Sequence, residues 1–111
     1  MMVPACGEGN ARMIRGSCLC GSVRWEIEGP ARHMSHCHCA MCRKVHGAPF
    51  ATYLSANSDD YRLVAGAEVI RQHESSPGFT RAFCATCGSV VPMIEDGRRA
   101  VIPAGCLDDD P

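Results

Sequence analysis

The spacing of the cysteines constrains this chain more than any other feature. The sequence has 111 residues and nine cysteines, an odd number. Seven of them lie one or two residues from a neighbouring cysteine, in three modules: Cys18 and Cys20; Cys37, Cys39 and Cys42; and Cys84 and Cys87. Cysteines this close rarely bond usefully to each other because the closed loop would be tiny, but they are well placed to bind one metal ion. The pattern favours metal binding over a disulfide scaffold.

The composition restricts the class of protein and its compartment. Residues 1–15 contain no apolar run typical of a signal peptide, and no segment approaches the roughly 20 apolar residues of a membrane span. With 11 basic and 12 acidic side chains the net charge is −1, and aromatic residues make up 5%, which argues against a nucleic-acid binder. We therefore expect a cytoplasmic protein with reduced thiols that binds neither nucleic acid nor membranes.

The hydrophobic pattern predicts a mainly β domain. Over 22–28, the apolar residues Val23, Trp25 and Ile27 alternate with polar ones, as in a half-buried strand. Further short strands are predicted at 12–16, 50–55, 61–64, 68–74, 79–83, 89–94 and 99–103, with one or two helical turns at 40–45. The aromatic side chains expected in the core are Trp25, Phe50, Phe79 and Phe83. Turn signals between the strands favour antiparallel sheets. Residues 1–11 are predicted to be a disordered leader, and 12–111 a single domain.

The cysteine modules can be divided between two zinc ions. Zn²⁺ prefers four ligands in a tetrahedron, so the two pairs together complete one site and the triplet leaves one position of a second site open. An alternative division joins the first pair with Cys37 and Cys39 across a shorter loop. Loop closure favours that alternative by only about 1.2 kcal/mol, against the order of 10 kcal/mol from a structural zinc, and cannot decide. Gly21 and Gly88, which follow the two pairs, mildly favour grouping those pairs because glycine lets backbone N–H groups approach the sulfurs.

The two sites would have different roles. A closed site of four cysteines would clamp the first and last parts of the chain together and replace core that a short chain lacks. A site of three cysteines has a fourth position for water or substrate. The alternative is that a histidine fills this position and makes the second site structural; the candidates are His33, His36, His38 and His46. Cys6 and Cys106 have no partner at metal-ligand spacing and are expected to be spare thiols.

Most of the chain, including the three cysteine modules, resembles the glutathione-dependent formaldehyde-activating enzyme and centromere-protein-V-like family. The matching stretches follow the family's order: Gly16-Ser17-Cys18-Leu19-Cys20-Gly21-Ser22-Val23, Cys37-His38-Cys39-Ala40-Met41-Cys42-Arg43-Lys44, Gly47-Ala48-Pro49-Phe50, Ser75-Ser76-Pro77-Gly78, Arg81-Ala82-Phe83-Cys84-Ala85-Thr86-Cys87-Gly88-Ser89 and Gly105-Cys106-Leu107-Asp108-Asp109. Three cysteine modules with their intervening glycines make the combined match specific.

The resemblance implies a fold, two metal sites and an activity. The implied fold is the Mss4-like zinc-binding fold, built from several small, strongly bent antiparallel β-sheets with a short helical turn. The implied ligands of a structural zinc are Cys18, Cys20, Cys84 and Cys87, and those of a reactive, open zinc are Cys37, Cys39 and Cys42, so that each chain holds two Zn²⁺. The implied activity is that of a carbon–sulfur lyase, which condenses glutathione with formaldehyde to S-hydroxymethylglutathione and catalyses the reverse.

The chemistry of an open zinc–thiolate site is compatible with that activity. The thiolate is the nucleophilic form of a thiol, and coordination to zinc deprotonates a thiol outright. Because three thiolates make the ion a weak Lewis acid, we prefer this role over polarisation of the aldehyde. Glutathione is anionic, so the candidate substrate-binding residues are Arg43, Lys44 and Arg81, with His46 as a candidate proton carrier. The alternative for the basic residues is ordinary surface charge, and for His46 a structural role.

Two function hypotheses follow from the sequence. The first is a zinc-dependent carbon–sulfur lyase that acts on thiol–aldehyde adducts, with a small thiol such as glutathione bound at the open zinc. The second is a non-catalytic zinc module that binds a protein or a small thiol. Self-association into a homo-oligomer is left open by the sequence.

Overall fold

The computed structural model describes residues 13–28, 33–95 and 97–109. The predicted disordered leader, residues 1–11, lies outside the described residues. Within them the strands are β1 (Met13–Ser17), β2 (Arg24–Glu28), β3 (His33–Cys37), β4 (Ala51–Asn57), β5 (Tyr61–Ala65), β6 (Ile70–Ser76), β7 (Phe79–Cys84), β8 (Met93–Glu95) and β9 (Arg99–Pro103). The α-helix α1 spans Ala40–His46, and short 3-10 turns span Ser58–Asp60, Ala67–Val69 and Ala104–Cys106. None of the helices in these ranges is long and apolar enough to cross a membrane.

The strands form three small antiparallel sheets. One has the order β1-β2-β5, the second β3-β4-β9-β8, and the third is the hairpin β6-β7. The predicted fold class, several small antiparallel sheets with one short helix, is therefore confirmed. No sheet is large enough to enclose a core by itself, so the apolar faces of all three must pack together.

The alternation predicted for β2 defines the centre of the core. Val23, Trp25 and Ile27 are each at most 1% exposed, as are Leu54 of β4 and Ile102 of β9. Gly16 of β1 lies opposite Trp25 in the β1–β2 register. A Cβ at Gly16 would lie 2.5 Å from the indole ring, so the sequence needs glycine here to admit the tryptophan.

The helix α1 is short because its ends are determined locally. It begins directly after Cys39 and ends at Gly47, which has the left-handed conformation that glycine adopts without strain (φ 62°). Cys42 is the residue of α1 that the fold buries. The predicted helical turns are thus confirmed, and they place Cys42 on the inner side of the helix.

Two sequence-based expectations were wrong. The strand predicted at 89–94 is reduced to Met93–Glu95, with an isolated bridge between Val90 and Phe83 before it; Pro92 interrupts the run because it has no N–H to donate to a neighbouring strand. Of the aromatic residues expected in the core, Phe50 is 38% exposed and Phe79 and Phe83 are only half-buried. Phe50 precedes β4 and packs its ring against His36 (4.4 Å between ring centroids) and His38 (5.2 Å).

Candidate metal centres

Four cysteines from distant parts of the sequence meet at one place. Their sulfur atoms all lie within 4.8 Å of one another: Cys18, Cys20, Cys84 and Cys87. The Sγ–Sγ distance is 3.6 Å between Cys18 and Cys20 and 3.9 Å between Cys20 and Cys84. Tetrahedral zinc with Zn–S near 2.3 Å requires about 3.8 Å between sulfurs. The arrangement therefore fits a zinc ion, and we call these residues the four-cysteine group.

The two halves of the four-cysteine group are built alike. Cys18 and Cys20 lie in the connection between β1 and β2, whereas Cys84 ends β7 and Cys87 follows it. In each half a glycine with φ of 82° follows the second cysteine, and its N–H bonds back to the first cysteine's carbonyl: Gly21 to Cys18 (3.0 Å) and Gly88 to Cys84 (2.7 Å). This turn folds the chain around the sulfurs. It explains why the same Cys-Gly-Ser sequence occurs in both places.

Hydrogen bonds prepare the four-cysteine group for a cation. The amide of Val23 donates to Cys18 Sγ (3.3 Å), although burial raises the pKa of Cys18. Hydrogen bonding with the side chain and backbone of Ser89 lowers the pKa of Cys87 to about 5. Hydrogen bonding with Ser22 likewise lowers the pKa of Cys20. Thiolates are the form that binds zinc, so these contacts favour metal binding at neutral pH.

The third cysteine module lies apart from the four-cysteine group. Cys37 ends β3 and Cys42 lies on α1, and their sulfurs are 3.2 Å apart. Cys39 is exposed in the connection between them. In the ranges that the structure describes, the four-cysteine group is the only set of three or more Cys, His, Asp or Glu ligand atoms gathered closely enough to hold a metal ion. The structure thus brings together Cys37 and Cys42, and leaves Cys39 at the surface beside them.

A buried arginine contacts Cys42 from the interior. Arg81 of β7 is 5% exposed. Its Nη1 lies 3.5 Å from Cys42 Sγ and donates to the Tyr53 hydroxyl at 3.3 Å, and its Nε donates to Ser75 Oγ at 3.2 Å. The guanidinium also lies over the ring of Phe79, 4.6 Å from its centroid. Arg81 was predicted as a substrate-binding residue, and the structure places its charge inside the protein, next to Cys42.

Tyr53 is a member of this site that sequence reasoning missed. It lies on β4, and its hydroxyl donates to Cys42 Sγ over 3.8 Å. The sequence around Tyr53 does not indicate a contact with Cys42, because this contact depends on the pairing of β4 with β3 and on the position of α1. Burial and the hydrogen bond to Cys42 raise the pKa of Tyr53 well above its ordinary value, so this hydroxyl remains neutral and keeps its proton.

The contacts of Cys42 oppose one another in their effect on its charge. Burial acts to raise the pKa of the thiol, but hydrogen bonds from Cys37, Arg81 and Tyr53 outweigh it and lower the pKa below its ordinary value. The pKa of Cys37 is raised: a backbone hydrogen bond at Cys39 acts against the shift, but the hydrogen bond with Cys42, together with burial, outweighs it. Of the two neighbouring sulfurs, Cys42 is therefore the one whose surroundings favour the thiolate form.

The other predicted substrate-binding residues lie on α1. Arg43 and Lys44 are exposed, and Arg43 Nε donates to the carbonyl of His38 (3.1 Å). His46 is half-buried; its Nδ1 lies 3.1 Å from the carbonyl of Cys42, and its ring meets Tyr53 edge-on. Its Nε2 is buried without a hydrogen-bond partner among the described residues. A small cavity next to the site is lined by His46, Tyr53 and Arg81, among others.

The two remaining cysteines were expected to be spare thiols. Cys106 lies in the 3-10 turn Ala104–Cys106, where its Sγ contacts the carbonyl of Val90 at 3.5 Å and burial raises the pKa of its thiol. Cys6 lies outside the described residues. Cys106 and the seven cysteines of the three modules are all free thiols in the structure.

Comparison with known proteins supports both the fold and the family. A crystal structure of a Rhodobacter sphaeroides protein matches with a TM-score of 0.70 and 24% sequence identity, over 87% of this chain and 90% of that one. At this identity the likeness shows the fold alone. The family model described as glutathione-dependent formaldehyde-activating enzyme matches residues 13–111, which include both cysteine groups. The architecture is accordingly Mss4-like, and the chain belongs to the glutathione-dependent formaldehyde-activating enzyme family.

Proposed function

We propose that this protein is a zinc-dependent carbon–sulfur lyase that acts on thiol–aldehyde adducts of the S-hydroxymethylglutathione type in the cytoplasm. The observation that carries the proposal is the separation of the cysteines into two groups, one of which is the complete four-cysteine group. The other has only three cysteines: Cys42 is buried, Cys37 is half-buried and Cys39 is exposed. Family membership supports the nature of the substrate. In this proposal each chain holds two zinc ions, one structural and one reactive.

The second group offers the chemistry that the reaction needs. Zinc held by Cys37, Cys39 and Cys42 would keep a fourth position for a thiol and hold that thiol as a thiolate, its nucleophilic form. Two sulfurs of this set already lie 3.2 Å apart, so a zinc ion would have to separate them slightly, to about 3.8 Å. The donor set fits a zinc ion once the exposed Cys39 joins them, and its exposure leaves the fourth position accessible to a small molecule.

The basic residues of α1 would bind the anionic part of the thiol. Arg43 and Lys44 follow Cys42 and are exposed, so their charges can meet the carboxylates of glutathione. His46 would serve as the proton carrier. The carbonyl of Cys42 can only accept a hydrogen bond, so the neutral imidazole carries its proton on Nδ1 and leaves Nε2 as the acceptor.

The test is adduct exchange followed by NMR. Zinc-loaded protein is mixed with glutathione and formaldehyde, and exchange between free and adduct forms is measured. We expect exchange faster than the uncatalysed reaction, lost in Cys39→Ser and kept in the control Cys106→Ser, which changes a thiol outside both groups. Uncatalysed exchange with the wild-type protein would contradict the proposal.

A second candidate, a non-catalytic zinc module that binds a protein, is favoured by one observation. Apolar side chains surround the exposed cysteine module without being buried: Met34 is 43%, Met41 39% and Val45 38% exposed. Strand β3 is also an edge of its sheet, and exposed edges and apolar patches are typical of interaction surfaces. Exchange at the uncatalysed rate together with two bound zinc ions would favour this candidate.

A further inference from the structure

Arg81 is an unusual residue for the interior of a small protein. Among the described residues it is the one buried polar or charged side chain, with 5% exposure. The ion pairs of the described chain involve Arg15, Arg62 and Arg99, so no carboxylate there pairs with Arg81. A buried charge without a counter-charge is costly and rarely retained. Within the described residues, the negative group that Arg81 needs is therefore not a carboxylate.

The contacts of Arg81 identify that group. Its guanidinium meets Cys42 Sγ, the hydroxyls of Tyr53 and Ser75, and the ring of Phe79. Ser75 and Phe79 carry no charge, and a tyrosine hydroxyl such as that of Tyr53 is ordinarily neutral at neutral pH. Cys42 is then the neighbour that can be anionic, and it is anionic whenever it is bound to a metal.

The formal charge of the proposed reactive site indicates how a nearby cation such as Arg81 would affect ligand binding. Zn²⁺ with three thiolates has a formal charge of −1, and a fourth ligand that is itself a thiolate brings the site to −2. A neutral ligand leaves it at −1. In a partly buried site each further negative charge is unfavourable unless a cation lies close to it. The guanidinium of Arg81 reduces these charges to −1 with a thiolate and to zero with a neutral ligand.

We infer that Arg81 is the counter-charge that lets the metal site of Cys37, Cys39 and Cys42 accept an anionic thiolate in preference to a neutral ligand. The inference rests on the proposed open site and deepens it. Arg81 acts through Cys42, so it is a positioning residue that determines which class of ligand is bound. Its charge lies in the interior, where its side chain is 5% exposed and contacts Cys42, whereas Cys39 is exposed.

The fold keeps this counter-charge in place through the four-cysteine group. Arg81 and Cys84 lie on the same strand, β7, which pairs with β6. The neighbouring Ala82 accepts a hydrogen bond from the amide of Val91 (3.1 Å). The strand that supplies Cys84 to the four-cysteine group thus also carries the cation that contacts the second group. The two groups are linked by a short segment of one paired strand.

The experiment compares two ligands on cobalt-substituted protein. Co²⁺ reports on its coordination by its visible spectrum, and the closed site of the four-cysteine group, which has no position for a further ligand, is the internal reference. Full-length protein is titrated at one pH with 2-mercaptoethanol, whose thiolate is its only charge, and with neutral imidazole. The ratio of the two affinities is the readout, because a general loss of structure would weaken both ligands together.

We expect the wild-type ratio to favour the thiol, and Arg81→Met to reduce it by roughly 10- to 100-fold, the usual range for a residue that supports a metal ligand. Arg81→Gln keeps a hydrogen-bond donor without the charge, so it should lose the preference as well, whereas Arg81→Lys should restore most of it. The matched control is Arg71→Met, because Arg71 is exposed and, among the described residues, its side chain bonds only to the carbonyls of Glu68 and Ile70. This substitution should leave the ratio unchanged.

The outcomes separate this inference from the proposed function. If the neutral variants bind both ligands with the wild-type ratio, Arg81 is not the counter-charge, and the open site stands. If neither ligand changes the cobalt spectrum of the wild-type protein, the site has no open position, and the proposed function and the inference are both overturned.

Discussion

At the scale of single residues, the core depends on the absence of a side chain at Gly16. The indole of Trp25 occupies the space that a Cβ would need, 2.5 Å away. Trp25 is 1% exposed, so its ring cannot move aside into solvent. A close-packed interior accommodates an added methyl group only if neighbouring atoms shift.

We therefore expect Gly16→Ala to lower the free energy of unfolding by about 1–3 kcal/mol, the usual cost of overpacking. The measurement is urea unfolding followed by the fluorescence of the single tryptophan. Gly105→Ala is the control, because an added Cβ there would meet nothing within 4 Å, and it should change stability by less than about 0.5 kcal/mol. Equal effects of the two substitutions would contradict the packing argument.

The two tyrosines predict an unusual titration at alkaline pH. Burial raises the pKa of Tyr61 to about 12, and burial together with the bond to Cys42 raises that of Tyr53 further. A folded-state pKa above the ordinary value near 10 favours the folded protein while the hydroxyl is neutral. This contribution is complete below about pH 10 and is lost as the pH rises through about 12.

Tyrosinate absorbance should therefore remain low at about pH 10 in the folded protein and rise near the ordinary pKa in denaturant. Tyr61→Phe should remove the step near pH 12 and leave the later one. A native protein whose tyrosines both ionise near their ordinary pKa would show that neither hydroxyl is buried as described.

At the scale of secondary-structure elements, the connections that follow β1 and β7 do the most to define the fold. Cys18 lies after β1 and Cys84 ends β7; Cys18 is 4% exposed and Cys84 is fully buried. The amide of Leu19 donates to Ser89 Oγ (3.0 Å), so the two connections also contact each other directly. By contrast, Cys39 is exposed, and it lies in a short connection between β3 and α1 at the surface.

This difference predicts opposite effects for two cysteine substitutions. Cys84→Ser should abolish cooperative folding, because a structural zinc contributes on the order of 10 kcal/mol, more than a domain of this size has to spare. Cys39→Ser should leave most of the fold intact and remove the adduct chemistry. Circular dichroism and thermal melting in excess zinc measure both. Insolubility of Cys39→Ser with a folded Cys84→Ser would reverse the assigned roles.

At the scale of the whole molecule, residues near the end of the chain return to β1. The amide of Asp108 donates to the carbonyl of Arg15 (2.7 Å), and Ser17 Oγ donates to the carboxylate of Asp108 (2.9 Å). The four-cysteine group joins the same region to β7. In addition to the shared apolar core, contacts between distant parts of the sequence thus join the sheets, and a metal ion would be the strongest of these contacts.

Metal removal should therefore have two stages. We expect two zinc ions per chain, one of which a chelator strips first with little change in the melting temperature, because three protein ligands hold zinc less tightly than four. Removal of the second should unfold the domain. Zinc content and melting temperature, measured on the same samples over time of chelation, check this. A single zinc per chain, or loss of both ions with one rate, would contradict it.

Much of the architecture and of the candidate site could be predicted from local sequence. The alternation of Val23, Trp25 and Ile27 predicted a strand and its buried face, and the repeated Cys-Gly-Ser ends of two modules favoured the grouping that the structure brings together. Both signals are local, since strand periodicity and turn geometry depend on the residues themselves. The predicted strand at 89–94 was largely wrong because the apolar run suggested a longer element than Pro92 permits.

The contacts behind the second cysteine module were decided by the tertiary structure alone. Tyr53, Arg81 and Cys42 lie on β4, β7 and α1, and nothing in their sequence spacing connects them. They meet because the sheets pack with particular registers. As a result Arg81, which was predicted to bind a substrate, is buried in contact with the sulfur of Cys42. The sequence by itself determined which residues can bind metal and where most strands begin. The packing of the sheets decided which charged groups surround the metal-binding cysteines. Sequence could not decide this, because the free energy of a charge depends on its whole environment.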